Sequence, residues 1–453
     1  MKLKEAEKLL AENGQTHLLK FYDTLGPAEQ KALLAQIAAI DFGIVKRETV
    51  PYAPARVDVL AGAGLAAAEK AGEAELAAGK VAALLVAGGQ GSRLGYEYAK
   101  GSFGIGPVSN APLFYFHARK LLALKLRYGK PVPLYIMTSE DNDAQTRAFF
   151  AAHGNFGLDA SDVFFFIQPM WPAFTGDGKI ILESPGRISM APNGHGGTIG
   201  ALETSGGIAD MSRRGIETVF FFQVDNPLVD ICSPPCIGYH KLQNADVTVK
   251  VCEKAGSREK VGMPVELNGK TLIVEYTEFT ESQQDEKTAA GELRFKYGSV
   301  NILVFSLPFL KREASANLPI HTAHKTIGTV DAAGAPFKPE KPNGYKAERF
   351  IFDTLADAQI TRCLAFDRAD EFAPVKNKDD NKAVPPVSDT PSTCKAALTA
   401  KWRRWLEAAG TKPAPGAVIE IDPVFADSPK ALAEKLKTAK LRPDPDAKSI
   451  FLR

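Results

Sequence analysis

The chain is short of cysteine, tryptophan and net charge. Its 453 residues hold five cysteines and three tryptophans, and 55 Lys plus Arg nearly balance 53 Asp plus Glu, for a formal charge of +2. Five thiols, an odd number spread thinly, do not make the disulfide framework of a secreted domain and suit a reducing compartment. Cys232-Ser233-Pro234-Pro235-Cys236 has no second pair and no zinc-ribbon spacing, so both thiols read as loop residues. A near-zero charge without a basic arm predicts neither nucleic-acid nor membrane binding. No apolar run approaches the length that crosses a bilayer. Met1 to Lys8 is charged and lacks the apolar core of a secretory signal. The expected location is cytoplasmic, and the expected state is a monomer or homodimer.

What is present is an ordinary globular composition, 45% hydrophobic and 24% charged, in a chain long enough for two or three domains. Residues 1–80 read as a helical N-terminal region, because Leu3, Ala6, Leu9 and Leu10, and again Leu33, Leu34 and Ile37, recur at helical spacing. Ala61–Ala78 has few large apolar side chains and reads as a surface helix. From Val81 the pattern alternates. Apolar runs predict strands over Val81–Ala87, Leu134–Ser139, Val163–Gln168 and Glu217–Asp225. Helices are expected over Ala111–Tyr128, Asp141–His153 and Thr198–Arg213. This is the signature of an α/β, Rossmann-like doubly wound sheet, in which ligands bind at the carboxyl ends of strands. Further strands are expected over Asp246–Glu253, Met263–Leu267, Thr271–Tyr276 and Val300–Phe305, and the sheet is expected to be mixed, in a catalytic domain spanning 81–385. The polar, Pro-rich segment Asn377–Pro391 reads as a linker, and 386–453 as a small C-terminal domain opened by a helix over Thr393–Ala409.

The most informative stretch runs from Val86 through Ala87-Gly88-Gly89-Gln90-Gly91-Ser92-Arg93-Leu94-Gly95 to Lys100-Gly101. A buried strand stops at paired glycines, and glycines let backbone N–H groups approach a ligand closely. With Arg93 and Lys100 beside them, the loop suits a polyphosphate. Two common phosphate loops are excluded. No Gly-Lys-Ser/Thr follows, as a P-loop requires. Leu94 stands where a dinucleotide fingerprint needs its third glycine, and no acid lies between Tyr98 and Lys130 to hold a ribose.

Asp225 ends an apolar strand, where a carboxylate is placed to bind Mg²⁺, a cation commonly held by one or two carboxylates plus substrate phosphates. Pro192-Asn193-Gly194-His195-Gly196-Gly197 is a second glycine-rich loop before a helix, and His195 between glycines is a candidate ligand contact. From the residues alone, Lys346 and Lys376 are solvated surface lysines. His321 and His324 lack i, i+4 spacing and a neighbouring acid, and read as surface residues.

These motifs resemble the eukaryotic-type UDP-N-acetylhexosamine pyrophosphorylases among the UTP:sugar-1-phosphate uridylyltransferases. The family's L-x-G-G-x-G-T-R-L-G and P-K-G motifs correspond to Val86–Gly95 and Ala99-Lys100-Gly101. Further matches follow in order: Tyr135–Ser139, Gln168 with Met170 and Pro172, Gly178–Glu183, Ser189–Pro192, Val224-Asp225-Asn226, Val274-Glu275-Tyr276, Lys338 through Gly344, and Asp370-Glu371-Phe372. The resemblance spans roughly residues 80–380. It implies attack of a sugar-1-phosphate oxygen on the α-phosphorus of UTP, giving UDP-sugar and pyrophosphate. It also implies roles. Ala87, Gly88, Gly89, Gln168 and Gly194 would hold the nucleotide, and Arg93, Lys100, Lys346 and Lys376 would neutralise the phosphates. Asp225 would hold Mg²⁺, and His195, Glu275, Tyr276, Ser299 and Asn301 would face the sugar. Three departures stand out. Ala99 replaces proline and Ser92 replaces threonine. At the sugar, His195 and Ser299 replace asparagines. N-acetylglucosamine-1-phosphate is the first expectation, and UDP-glucose, UDP-galactose or broad UDP-sugar synthesis the alternative. A catalytically silent nucleotide-sugar sensor is the rival of a different class.

Overall fold

The computed structural model describes residues 1–39, 50–380 and 382–453. The expected helical region therefore has residues 40–49, and the expected linker Asn381, outside the described residues. The chain divides into two compact units, Met1–Tyr52 and Ala53–Arg453. In the first, α1 (Leu3–Glu12) and α2 (Pro27–Ala39) pack through Ala6, Leu10, Leu34 and Ile37, the apolar positions that the helical spacing singles out.

The second unit is built on an eight-stranded sheet. Its strands in chain order are β1 (Val57–Asp58), β2 (Val81–Val86), β3 (Leu134–Thr138), β4 (Val163–Ile167), β5 (Thr218–Gln223), β6 (Val247–Glu253), β7 (Tyr297–Ser306) and β8 (Thr361–Ala365). The spatial order is β1-β8-β6-β7-β5-β2-β3-β4. The pairs from β5 to β4 and from β6 to β1 are parallel, and β7 runs antiparallel to both β5 and β6. The mixed doubly wound sheet expected from the sequence forms, while two further expected strands, formed over Met263–Leu267 and Lys270–Val274, join Ala53–Pro54 in a separate three-stranded sheet. Its apolar runs are continuous because both faces are covered. Val81, Ala83 and Leu85 enter one core with Ile136 and Phe222. Ala82 and Leu84 enter the other with Met137 and Phe221. Each fully buried Phe of β5 contributes roughly 1.5–3 kcal/mol over exposure.

One expectation is refined on folding and another changes. The helix α3 (Gly62–Ala77) is the expected surface helix, but one face is packed, with Ala68, Gly72 and Leu76 buried against α8 (Pro234–Leu242). A Cβ on Gly72 would sit 1.8 Å from the Pro234 carbonyl oxygen, and one on Gly238 would sit 1.8 Å from that of Ala68. Small residues there serve backbone-close packing, a use that composition cannot tell from an idle surface. The helix expected over 198–213 is two, α6 (Thr198–Thr204) and α7 (Gly207–Arg213), broken at Gly206 with φ 82°. Between them and the amino end lie α4 (Leu113–Tyr128) and α5 (Asp143–Ala152), close to their expected ranges. The supposed loop thiols are both buried, and Cys236 lies within α8.

The C-terminal helices α9 (Pro391–Ala408) and α10 (Pro429–Thr438) share the core of one sheet face through Leu398, Trp402, Leu406 and Leu432. Boundaries near 80 and 385 were expected from the sequence, whereas here 53–453 forms one unit. Polar anchors reinforce the attachment. Asp422, 2% exposed, accepts from Arg119 Nε and Nη2 at 3.1 and 3.0 Å, and the fully buried Glu420 accepts from the backbone N–H groups of Val108 and Ser109 at 2.7 and 2.8 Å.

Candidate active site

Three parallel strands, β5, β2 and β3, end side by side, and the loops that leave them build the site. After β2 the chain folds back on itself. Lys100 N–H donates to Gly89 O at 3.1 Å and Gly91 N–H to Tyr98 O at 3.0 Å. Asn142, fully buried after β3, donates its Nδ2 to Ala87 O at 2.9 Å and accepts from Ser139 N–H at 2.9 Å. It fixes the floor of the glycine loop, and nothing in its local sequence points to that role. Gln168, at the end of β4, donates Nε2 to Gly194 O at 2.7 Å, and its Oε1 would lie 3.1 Å from a Cβ on Gly88. The structure therefore brings Ala87, Gly88, Gly89, Gln168 and Gly194 together at one strand end. Gly194 has φ 81°, and a Cβ there would meet Arg349 O at 2.3 Å. Only glycine fits that conformation in that space. Arg93 stands exposed on the turn Ser92–Leu94.

Beyond the glycine loop a cavity of about 140 Å³ opens at the end of β5. It is lined by five of the expected residues besides Asp225, namely His195, Glu275, Ser299, Asn301 and Lys376. Lys100 Nζ lies 3.6 Å from Asp225 Oδ2 and joins loop to cavity. Asp225 is held from behind, its carbonyl accepting from Val375 N–H at 2.8 Å. Lys376 sits 3.6 Å from Asp389, so the expected linker is tied to the site. Lys346 lies on the strand Gly344–Glu348, opposite Ala323 of His321–Lys325, and does not line the cavity. Tyr276 starts the turn after Glu275 and does not line it either.

A β-bulge shapes one wall of the cavity. Lys250 of β6 pairs with Ile302 of β7, but Val251 pairs with Ser299, which leaves Val300 and Asn301 as extra residues. Asn301 takes φ 59°, and its Oδ1 is buried without a protein partner. Bulges re-aim side chains at sites, and a buried unpaired amide oxygen costs about 1–3 kcal/mol until a donor arrives.

Burial sets the ionisation states. His195 Nδ1 accepts from Ile351 N–H at 3.0 Å, so Nε2 carries the proton of a neutral ring. Burial, with His321 nearby, pushes His195 down to about 4. Its ring stacks on Phe350. Glu275 is raised by burial first and then by Glu278. His321 is half-buried rather than surface, with Nε2 2.9 Å from Asp353 Oδ2 and its ring 4.4 Å from Phe350. The acid that partners it is 32 residues away in the chain, so local spacing could not find it. Asn226 and Phe372, members of matched motifs without an assigned sugar or phosphate role, also line the cavity, as do Lys260 and Phe352, which were not anticipated.

The arrangement is a glycine loop with two cations at one end and a polar cavity at the other, joined at Asp225. A family model described as UTP–glucose-1-phosphate uridylyltransferase matches residues 46–408. The chain belongs to that family. It is 36% identical to the human UDP-N-acetylhexosamine pyrophosphorylase-like protein 1 over 432 residues, covering 88% of this chain and 84% of the relative. It is 31% identical to the UDP-N-acetylglucosamine pyrophosphorylase of Saccharomyces cerevisiae, covering 92% and 94%. The solved uridine diphosphate N-acetylglucosamine pyrophosphorylase of Trypanosoma brucei superposes with a TM-score of 0.76 at 28% identity, covering 99% and 98%. The uridylyltransferase family's nucleotidyl transfer generally uses a divalent metal ion. Among the described residues no group of three or more His, Cys, Asp or Glu could form a protein-only metal cage. Asp225, 13% exposed in its side chain and lining the cavity beside Lys100, fits the other mode, an ion shared between one carboxylate and substrate phosphates. Among the described residues no helix is long and apolar enough to cross a membrane.

Proposed function

We propose that this chain transfers the uridylyl group of UTP to N-acetylglucosamine-1-phosphate, giving UDP-N-acetylglucosamine and pyrophosphate. The observation that carries the reading is the junction at Asp225, where a glycine loop suited to a triphosphate meets a polar cavity suited to a sugar phosphate. In the proposed step, a phosphate oxygen of the sugar-1-phosphate attacks the α-phosphorus of UTP, and the bond to the β-phosphate oxygen breaks as pyrophosphate leaves. A phosphate monoester is already nucleophilic at neutral pH, so no general base is required. Catalysis then rests on positioning and on charge stabilisation.

In this reading Ala87, Gly88, Gly89, Gln168 and Gly194 hold the nucleotide. Arg93, Lys100, Lys346 and Lys376 stabilise the charge on the phosphates. Mg²⁺, held by Asp225 and the substrate phosphates, would supply further neutralisation of that charge. His195 Nε2–H donates to a sugar oxygen, Glu275 and Tyr276 face the ring, and Ser299 and Asn301 meet the acetamido group. An amide side chain with an unpaired buried oxygen is a natural partner for the N–H of an N-acetyl substituent. Five free, buried cysteines support a cytoplasmic setting.

The test is to incubate the protein with UTP, Mg²⁺ and a panel of sugar-1-phosphates and to measure pyrophosphate release. Release is expected to be fastest with N-acetylglucosamine-1-phosphate. Turnover of glucose-1-phosphate in its place moves the assignment to a UDP-glucose enzyme. UTP binding with silence across the panel identifies a sensor.

A further inference from the structure

A second cavity, of about 530 Å³, lies behind the loop that carries Asp225. Its walls come from α3, α4, α9 and α10, and its volume is that of a small-molecule site. Trp402, Trp405 and Phe116 give it flat aromatic surface. At its inner end two lysines aim into the same loop. Lys120 Nζ donates to Pro227 O at 2.5 Å and to Val229 O at 2.6 Å. Lys401, 8% exposed, donates to Leu228 O at 3.3 Å, and its ammonium lies 5.4 Å from the Trp405 ring centroid.

Charge makes this cavity unusual. Among the described residues neither ammonium is paired with a carboxylate within ion-pair distance, although buried charges are normally paired. Burial, together with Lys401, pushes Lys120 down to about 7. Arg127 and Asp427 at the wall satisfy each other. Glu371, whose charge also reaches Lys120, is held by Lys250. That leaves Lys120 and Lys401 against Asp230, a surplus of one positive charge when both ammoniums are protonated, the state that a bound anion favours. Glu69, Glu73, Lys430 and Glu434 are exposed at the rim, where solvent screens them.

We propose that this cavity is a regulatory site for a small aromatic carboxylate, whose anion sits between Lys120 and Lys401 and whose ring packs on Trp402 and Trp405. A carboxylate brings the single negative charge that the surplus calls for, whereas a phosphate monoester brings nearly two. The occupant is coupled to the reaction because both ammoniums hold carbonyls two to four residues beyond Asp225. Drawing them toward an anion loosens that hold and changes how the Asp225 carboxylate is presented. The binding claim stands by itself, and the coupling claim rests on the uridylyltransferase reading.

Calorimetric titration of the full chain tests both, with 1-naphthoate, its neutral analogue 1-naphthalenemethanol, and 1-naphthyl phosphate as probes. One naphthoate is expected to bind per chain, at least about tenfold more tightly than the alcohol, as a charge-assisted hydrogen bond predicts. Saturating UTP and Mg²⁺ should leave binding in place, and naphthyl phosphate should bind more weakly than naphthoate. Lys401→Met should cost about tenfold or more. Ala431→Phe, which puts a ring on the cavity wall and leaves both lysines in place, should weaken binding by about tenfold or more even if the lysine variant fails to fold. Naphthoate should also shift the Mg²⁺ concentration for half-maximal pyrophosphate release by twofold or more. Equal binding of acid and alcohol, displacement by UTP, native binding by Ala431→Phe, or tighter binding of naphthyl phosphate would overturn the site. An unchanged Mg²⁺ requirement with naphthoate bound would overturn the coupling.

Discussion

The glycine loop and the cavity beyond it are built in opposite ways. The loop is one continuous stretch, from Ala87 to Lys100, closed by its own backbone hydrogen bonds. The cavity gathers residues from 195, the segment 222–229, 260–262, 273 and 275, 299–302, 352, and 372 and 376, on strands, turns and loops that meet only after the sheet has formed. A local device keeps its chemistry through changes elsewhere in the chain. A composite one depends on every element that frames it. The departures from the resembled family fall in both regions: the loop keeps its glycines, Arg93 and Lys100 but carries Ser92 and Ala99, and the cavity wall carries His195 and Ser299.

Substitutions can break this division or sharpen it. The largest effect is expected where the regions join. Asp225→Ala should reduce pyrophosphate release by about a thousandfold or more, the scale of losing a dominant charge-stabilising contact, with the melting midpoint near that of the native chain. Normal activity at ordinary Mg²⁺ would remove Asp225 from the proposed metal role. Next comes the loop alone. Asn142→Ala leaves the Ala87 carbonyl without its donor, a cost of about 1–3 kcal/mol. KM for UTP should rise about tenfold while KM for the sugar phosphate stays within about twofold. The cavity variant mirrors it. Asn301→Ala should raise KM for N-acetylglucosamine-1-phosphate about tenfold, leave KM for UTP alone, and narrow the preference over glucose-1-phosphate. If either variant moves both constants equally, loop and cavity act as one unit and the division fails.

The smallest effect concerns stability against pH. Burial, with Lys120 nearby, holds His117 down to about 3. Burial and His321 hold His195 at about 4, and burial holds His240 at about 4. Each ring is neutral when folded and takes a proton near 6.5 when unfolded, so the unfolded chain binds more protons between those values. Their contribution is complete above about 6.5 and is lost as the pH falls toward 4. Urea midpoints should be lower at pH 5.5 than at pH 7.5, and His240→Asn should flatten that difference in part. Equal midpoints at the two pH values would contradict the neutral assignments.

Local pattern was enough for much of the architecture. The six strands β2, β3, β4, β5, β6 and β7 lie within a few residues of where apolar runs put them, because a strand covered on both faces needs an unbroken run. Pattern misled where small residues have two uses. The alanines and glycines of α3 look like an idle surface, yet they let α8 approach to backbone contact. It was silent on the Asn142–Ala87 bond, on the His321–Asp353 pair and on Lys120 with Val229, which join positions 32 to 109 residues apart.

The sequence alone determined the glycine loop, the strands and the order of the motifs, since each rests on neighbours within a few positions. The tertiary structure alone decided which side chains share the cavity, that His195 is held neutral, that a bulge turns Asn301 inward, and that buried lysines back the Asp225 loop. Those depend on burial and on pairings across the chain, and neither exists until the sheet has brought distant segments together.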